Sequence, residues 1–542
     1  SSFLTSELII FSKLPREPHS GRAGLDDEEE FVDLLDERRR GSDLSFAFKT
    51  FSPWPYKGAL SCSTADLNKA VLESHFLRHV AKEVQSPKPL EMFEVDALGI
   101  LEEMSQNLQL GFIRLMAYML TKVFKRLFSG IFVNMEGLNM LQQATQESPV
   151  ILMPNHRSYV DFLAISYILF SYDIPIPVIA AGIPLAGMKI VGEILRRSGA
   201  FFIRRAIGSD KLYWAVLSEY IKTIVRKGFA PVEFYVEGLR SRTLKSLVPK
   251  LGMMHMVLEP YFKGEVFDIT LVPVSISYDR VLEESLLAHE LLGVPKPKES
   301  TTGLLKASKV LQEAYGSMHV NFGRPLSVRR LCEGKINRCQ YNLVLYIHSP
   351  KVQACVSWLA HLTVRVQEEG SVISPWSLMA CLLLQAPAAV LSEEGLLWHQ
   401  LKEKTLWLRK LALDLGARLN WPGGLIIFSK QFFFLKDFEE AIALLKKCGA
   451  VHVGQQEVTA SDWEVLSFLQ TLLRPFIDSY QVLCLLPPLI SFVMVHLKAE
   501  PSLSAILGAF SELGTYEALS WDVQKNVLSA LRRLETLTKL RT

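Results

Sequence analysis

This chain lacks an excess of charge of either sign. Its 59 Lys and Arg face 56 Asp and Glu, a net charge of +3 over 542 residues. That balance excludes the strong basic excess of a nucleic-acid binder, so no nucleic acid is expected among the partners. Cysteine is sparse and has no pairing pattern. The seven present (Cys62, Cys332, Cys339, Cys355, Cys381, Cys448, Cys484) are scattered without a C-x-x-C, which excludes zinc-ribbon and thioredoxin-type sites. An odd, dispersed set points to reduced thiols and an intracellular compartment. Long apolar runs are missing as well. No uninterrupted stretch reaches the ~18 to 20 residues of a membrane span. The nearest, Val482 to Leu497, contains Pro487-Pro488 and reads as a buried or membrane-facing helix pair. No secretory leader is expected, because Asp26 to Glu30 is acidic and the apolar stretch before it is short. Gly182 to Lys189 misses the Gly-Lys-Ser/Thr of a P-loop and carries Pro184, and neither a G-x-S-x-G elbow nor a dinucleotide fingerprint occurs. His75 and His79 share a helical spacing but lack a third ligand, so no metal site is expected.

What is present is length and apolar content. With 49% hydrophobic residues, the chain can build a large core in more than one domain. Three regions are expected: an N-terminal helical region over 1–140, an α/β domain over 141–340, and a mostly helical region over 341–542. In the first, Leu101 to Phe128 has apolar residues at helical spacing, interspersed with Arg114, Lys122, Lys125 and Arg126. It reads either as a core-packing helix with a solvated basic face or as an interfacial helix on anionic lipid. In the second, strands at Val150 to Met153, Val178 to Ala181, Ala200 to Ile203, Val232 to Val236 and Thr270 to Ser277 alternate with helices at Tyr159 to Tyr172, Gly187 to Arg197 and Lys211 to Lys227, the last ending at Gly228. This alternation predicts a mixed, largely parallel sheet flanked by helices.

The strand at Val150 runs into Pro154-Asn155-His156-Arg157-Ser158-Tyr159-Val160-Asp161. Ligands collect at the carboxyl ends of parallel strands. On one helix His156 and Asp161 would diverge by ~140°, so they meet only if His156 lies in the loop and Asp161 in the first helical turn, with Ser158 as N-cap. An alcohol becomes a competent nucleophile once a base takes its proton. A neutral histidine does this near pH 7, and a carboxylate on its other nitrogen fixes the tautomer. Ser158-x-x-Asp161 also matches a capping box, under which Asp161 only caps a helix. Further on, Arg204-Arg205 follows one strand, Glu237-Gly238-Leu239-Arg240-Ser241-Arg242 follows another, and Pro273 lies inside a third. Arginine's planar fork suits a phosphate, and Gly238 permits a tight turn.

In order and spacing these blocks resemble the four motifs of the glycerolipid acyltransferase family. His156 and Asp161 match its H-x4-D block and Arg205 the second; Glu237, Gly238 and Arg240 match the third, and Pro273 the fourth. The resemblance implies His156 as general base and Asp161 as its orienting carboxylate. It assigns Arg205, Glu237, Gly238 and Arg240 to the acceptor's phosphate and Pro273 to the acyl-donor side. Acyl-CoA would be a substrate, with no cofactor or metal. Phe31 to Ala47, Pro177 to Gly182, Ala200 to Tyr220 and Leu291 to Leu305 further resemble the peroxisomal branch that acylates dihydroxyacetone phosphate at the start of ether-lipid synthesis. That likeness implies a membrane surface and the alkyl-dihydroxyacetone phosphate synthase as partners, and the lumenal face of the peroxisomal membrane as location. The chain departs from the family at Leu239, in a markedly shorter segment after Trp421-Pro422, and in ending Lys539-Leu540-Arg541-Thr542 rather than on an -AKL or -SKL address. With the start at Ser1, these departures suggest an incomplete or alternatively spliced chain. Two other readings stay open: a glycerol-3-phosphate acyltransferase, since the motifs do not separate the two acceptors, and a catalytically silent scaffold of an ether-lipid enzyme complex.

Overall fold

The computed structural model describes residues 31–54, 56–59, 62–84, 90–183, 189–204, 210–241, 246–283, 315–338, 349–387, 389–414, 418–419, 430–454, 456–471 and 473. Arg205, Arg242, the stretch 291–305, the segment 421–429, Val482 to Leu497 and the C-terminal tetrapeptide lie outside them. The described residues fall into two units, the first over 1–239, 249–276 and 297–367, the second over 240–248, 277–296 and 368–542.

The first unit is built on a nine-stranded sheet. Its strands are β1 (Phe31–Asp33), β2 (Gly130–Asn134), β3 (Val150–Pro154), β4 (Val178–Gly182), β5 (Ala200–Ile203), β6 (Val232–Glu233), β7 (Thr270–Tyr278), β8 (Ser317–Phe322) and β9 (Leu326–Ser327). They lie in the order β1-β2-β8-β7-β3-β6-β4-β5, with β9 against β7. The run β7-β3-β6-β4-β5 is parallel throughout, whereas β1 and β9 pair antiparallel. The sheet is thus mixed and largely parallel, as the alternation predicts. It also takes in β1 and β2, so the α/β unit reaches into the region expected to be only helical. The central strands read as near-continuous apolar runs because both faces are covered; Val150 to Met153 of β3 are at most 3% exposed.

Six helices position the site: α1 (Asp43–Ala47), α2 (Leu90–Met104), α3 (Leu110–Leu127), α4 (Asp161–Ser171), α5 (Lys189–Arg197) and α6 (Lys211–Lys227). The last matches its expected bounds and stops at Gly228, whose φ of 60° is left-handed. The helix expected over Leu101 to Phe128 is instead two. Between α2 and α3 the chain is extended because its amides find other partners: Gln106 N–H donates to Tyr220 Oη at 3.1 Å, and Asn107 and Gln109 donate to the carbonyls of Arg196 and Arg197 at the end of α5, each at 3.0 Å. Those carbonyls would otherwise be orphaned at a helix C-terminus. Lys122 Nζ pairs with Asp43 Oδ2 at 2.6 Å, and Lys125 bonds the same carboxylate, which favours the packing reading of α3. The Asp43 carboxyl sits below its usual value, because these lysine hydrogen bonds and charges outweigh the opposing effect of burial.

The second unit is mostly helical, with Pro375–Leu383, Trp398–Asp414, Lys430–Lys447 and Trp463–Thr471 around a core that includes Trp376, Met379, Leu401, Phe438 and Leu466. A three-stranded antiparallel sheet of Leu396–Leu397, Glu457–Ala460 and Val451–Val453 adjoins them. Among the described residues no helix is long and apolar enough to cross a membrane.

Candidate active site

β3 is prolonged by Asn155, whose N–H donates to Val274 O at 3.0 Å. The Asn155 side chain then pairs with the backbone of Ile276: Oδ1 accepts from Ile276 N–H at 2.8 Å and Nδ2 donates to Ile276 O at 3.2 Å. This double bond to β7 anchors the start of the loop, and His156 follows directly. α4 begins at Asp161, so His156 is in the loop and Asp161 in the first turn, the one arrangement in which they can meet. The N-cap position is Val160 rather than Ser158. Ser158 Oγ instead accepts from Val160 N–H at 3.3 Å.

Asp161 is fully buried, and its Oδ2 gathers three donors. His156 Nδ1 lies 2.9 Å away, Arg157 N–H 2.8 Å and Ser158 N–H 2.9 Å. The carboxylate therefore both orients the imidazole and holds the loop, at a helix N-terminus where negative charge is favoured. With Nδ1 donating to Asp161, the remaining nitrogen, Nε2, is the one able to accept a proton. Nε2 has no hydrogen-bond partner among the described residues, and the His156 side chain is 18% exposed. The Tyr235 ring lies against the imidazole, with centroids 4.2 Å apart and planes 32° from parallel.

Glu237 is also fully buried. Its Oε1 accepts from His156 N–H at 3.0 Å, and the Arg157 guanidinium donates to both oxygens at 3.0 and 3.2 Å. So engaged, Glu237 braces the histidine loop. Gly238 closes the turn by donating to Tyr235 O at 3.0 Å. Its φ is +70°, and a Cβ there would meet Lys250 Cγ at 2.9 Å, so a side chain there is strained on both counts. Leu239 is 49% exposed, which leaves the turn undisturbed by its bulk. Arg240 is half-buried, three residues beyond Glu237. Arg204, the described member of its pair, bonds Glu103 at 2.7 Å and lies over the Tyr213 ring, so it serves the fold. Pro273 sits on β7 opposite Met153 of β3, and its carbonyl accepts from Gly323 N–H at 2.8 Å.

The motif reading did not pick out Arg157, Tyr235 or Glu233. For Glu233 a signal existed: a lone carboxylate inside the apolar run Val232 to Val236. That expected five-residue strand pairs only over Val232–Glu233, although Phe234 N–H still reaches Leu152 O at 3.2 Å. An apolar cavity is lined by Ile113, Met116 and Leu120 of α3 and by Phe162, Tyr167 and Phe170 of α4, Phe162 being the neighbour of Asp161. Among the described residues no cluster of His, Cys, Asp or Glu could hold a metal ion.

Comparison with known proteins agrees with these motifs. A family model described as Acyltransferase matches residues 132–277, and one described as Glycerol-3-phosphate acyltransferase C-terminal region matches 287–426. The chain is 41% identical over 619 aligned residues to the dihydroxyacetone phosphate acyltransferase of Homo sapiens, covering 94% of this chain and 90% of that protein. The corresponding Mus musculus protein is 40% identical with the same coverage. The glycerol-3-phosphate acyltransferase of Pseudomonas putida (strain GB-1) is 35% identical over 340 residues, covering 61% of this chain and 40% of that protein.

Proposed function

The chain belongs to the family of dihydroxyacetone phosphate acyltransferases and is an acyltransferase acting on that phosphorylated acceptor, and from that premise we propose how its residues carry out the transfer. The acyl donor is a long-chain acyl-CoA and the product 1-acyl-dihydroxyacetone phosphate, the entry step to ether lipids. His156 Nε2 takes the proton of the acceptor hydroxyl as its oxygen attacks the thioester carbonyl. Asp161 holds the opposite nitrogen and stabilises the imidazolium. The tetrahedral intermediate collapses to the ester, and the departing coenzyme A thiolate takes the proton back. The observation that carries this reading is the 2.9 Å contact between His156 Nδ1 and the buried Asp161. The cavity beside Phe162 is apolar, as an alkyl chain requires. Pro273, beside the strand that carries the histidine, is given to the acyl-donor side.

Glycerol 3-phosphate is the runner-up acceptor. The relatives named for it match a smaller share of the chain than those named for dihydroxyacetone phosphate. Arg205 and Arg240 are given to the acceptor's phosphate, with Gly238 shaping the turn and Glu237 bracing the loop. Purified protein with one long-chain acyl-CoA should acylate dihydroxyacetone phosphate with a higher kcat/KM than glycerol 3-phosphate; the reverse order would reassign the acceptor. In the same assay Arg205→Lys and Arg240→Lys keep the charge but lose the paired hydrogen bonds. Each should raise the KM for the acceptor several-fold and leave that for acyl-CoA in place. A selective rise for acyl-CoA would move these arginines to the donor.

The proposed setting is the lumenal face of the peroxisomal membrane, beside the alkyl-dihydroxyacetone phosphate synthase, with peripheral attachment. Leu110, Leu115 and Met119 of α3 are 41%, 52% and 51% exposed. Lys122 and Lys125 are engaged by Asp43, so apolar contact is the larger part of the attraction. Carbonate extraction of membranes should release the protein; full resistance would point to an embedded anchor.

A further inference from the structure

Two carboxylates lie on the segment that runs from β6 past His156, and only one has its charge answered. Glu237 is matched by Arg157. Glu233 is fully buried on β6, in register with Leu152 of β3 and Ile179 of β4. Its Oε1 accepts from Tyr235 Oη at 3.4 Å, and its Oε2 has no hydrogen-bond partner among the described residues. The ring of that same Tyr235 lies on the His156 imidazole. We infer that Glu233 is a positioning residue for His156, acting as an uncharged acid that holds Tyr235, and through it the imidazole, in place.

The chemistry of the neighbourhood supports this. An ionised carboxylate without a cation in a buried strand is strongly disfavoured. Desolvation by burial pushes the Glu233 carboxyl well above its usual range, outweighing the lowering effect of the Tyr235 hydrogen bond, and the Asp161 charge adds to the rise, which favours the neutral acid. That state also suits the reaction. A second negative charge beside Asp161 would favour the imidazolium and so remove the base. A neutral acid keeps a polar anchor for Tyr235 Oη without adding that charge. The inference rests on His156 being the general base.

Four variants test it in the full chain, assayed with acyl-CoA and dihydroxyacetone phosphate. Glu233→Leu and Tyr235→Phe should each lower kcat by roughly 10- to 100-fold, the scale of a small misplacement of a reacting group, with both KM values unchanged. The double variant should be no slower than either single one, since both break the same connection. Glu233→Gln, which keeps the acceptor oxygen and the neutral state, should recover most of the wild-type kcat. The melting temperature of Glu233→Leu should hold or rise, because an incompletely bonded buried acid is exchanged for an apolar group; a residue serving only the fold would give the opposite pairing of activity and stability. Full activity in Glu233→Leu, a Glu233→Gln as slow as Glu233→Leu, additive losses, or a rise in KM in place of a fall in kcat would each overturn the assignment. If Glu233→Leu does not fold, Tyr235→Phe decides, and an unchanged kcat there overturns it. His156→Ala alongside separates two failures. An active His156→Ala removes the base itself, whereas an inactive one beside a fully active Glu233→Leu removes only the part given to Glu233.

Discussion

His156→Ala should reduce acyl transfer by about 10²- to 10⁴-fold, the range of general-base catalysis, while the protein stays folded. The effect is expected to fall on the chemical step because the side chain's contacts are few and local. Its Nδ1 meets Asp161 and its ring meets Tyr235. The bonds that hold the loop are made by other atoms: the backbone N–H groups of His156, Arg157 and Ser158, the Arg157 guanidinium, and Asn155 on Ile276. An alanine at 156 keeps its N–H bonded to Glu237 and loses only the ring. kcat should therefore drop steeply, with the KM values and the melting temperature nearly unchanged. Retention of more than about a tenth of the wild-type rate would exclude a general-base role, since the smallest usual effect is larger.

The parts of this site that could be read in the sequence are those set by short-range geometry. His156 and Asp161 lie five residues apart, and a strand, a polar loop and a helix start in succession leave one way for them to meet. The parallel sheet was legible for the same kind of reason: β3, β4, β5 and β7 are apolar runs flanked by helical periods. What could not be read is set by strand register. Leu152 of β3 pairs with Glu233 of β6. Carried four residues onward along both segments, that register brings position 156 beside position 237, and there Glu237 bonds the His156 amide and Arg157. No local pattern fixes a pairing between residues 81 apart, so Glu237 reads in sequence as a phosphate-site residue and in the fold as a brace. The break between α2 and α3 has a similar origin. Helical periodicity runs through Ser105 to Gln109, but the open carbonyls at the end of α5 and the Tyr220 hydroxyl capture those amides. This is a tertiary override of local preference.

Asp161→Asn should lower kcat by at least about 10²-fold and leave the melting temperature close to wild type. Two readings of Asp161 met in the sequence, an orienter of histidine and a helix cap, and the geometry shows one oxygen in both positions. Oδ2 accepts from His156 Nδ1 and from the amides of Arg157 and Ser158. In the asparagine variant the side-chain carbonyl can take the place of Oδ2, since all three partners are donors there, and the amides stay satisfied. What disappears is the negative charge beside the imidazole. The imidazolium that forms during transfer then loses its stabilisation. Asp161→Ala removes the charge and the acceptor together. The buried amides of Arg157 and Ser158 are then left without that partner, at a cost of about 1–3 kcal/mol each, so this variant should lose both activity and stability. A simple cap predicts another ranking, in which asparagine is almost fully active and alanine fails only in proportion to its lost stability. Kinetics and thermal unfolding measured on the same preparations of both variants separate the two. An Asp161→Asn enzyme that keeps nearly full activity would withdraw the orienting role and leave the carboxylate as a cap.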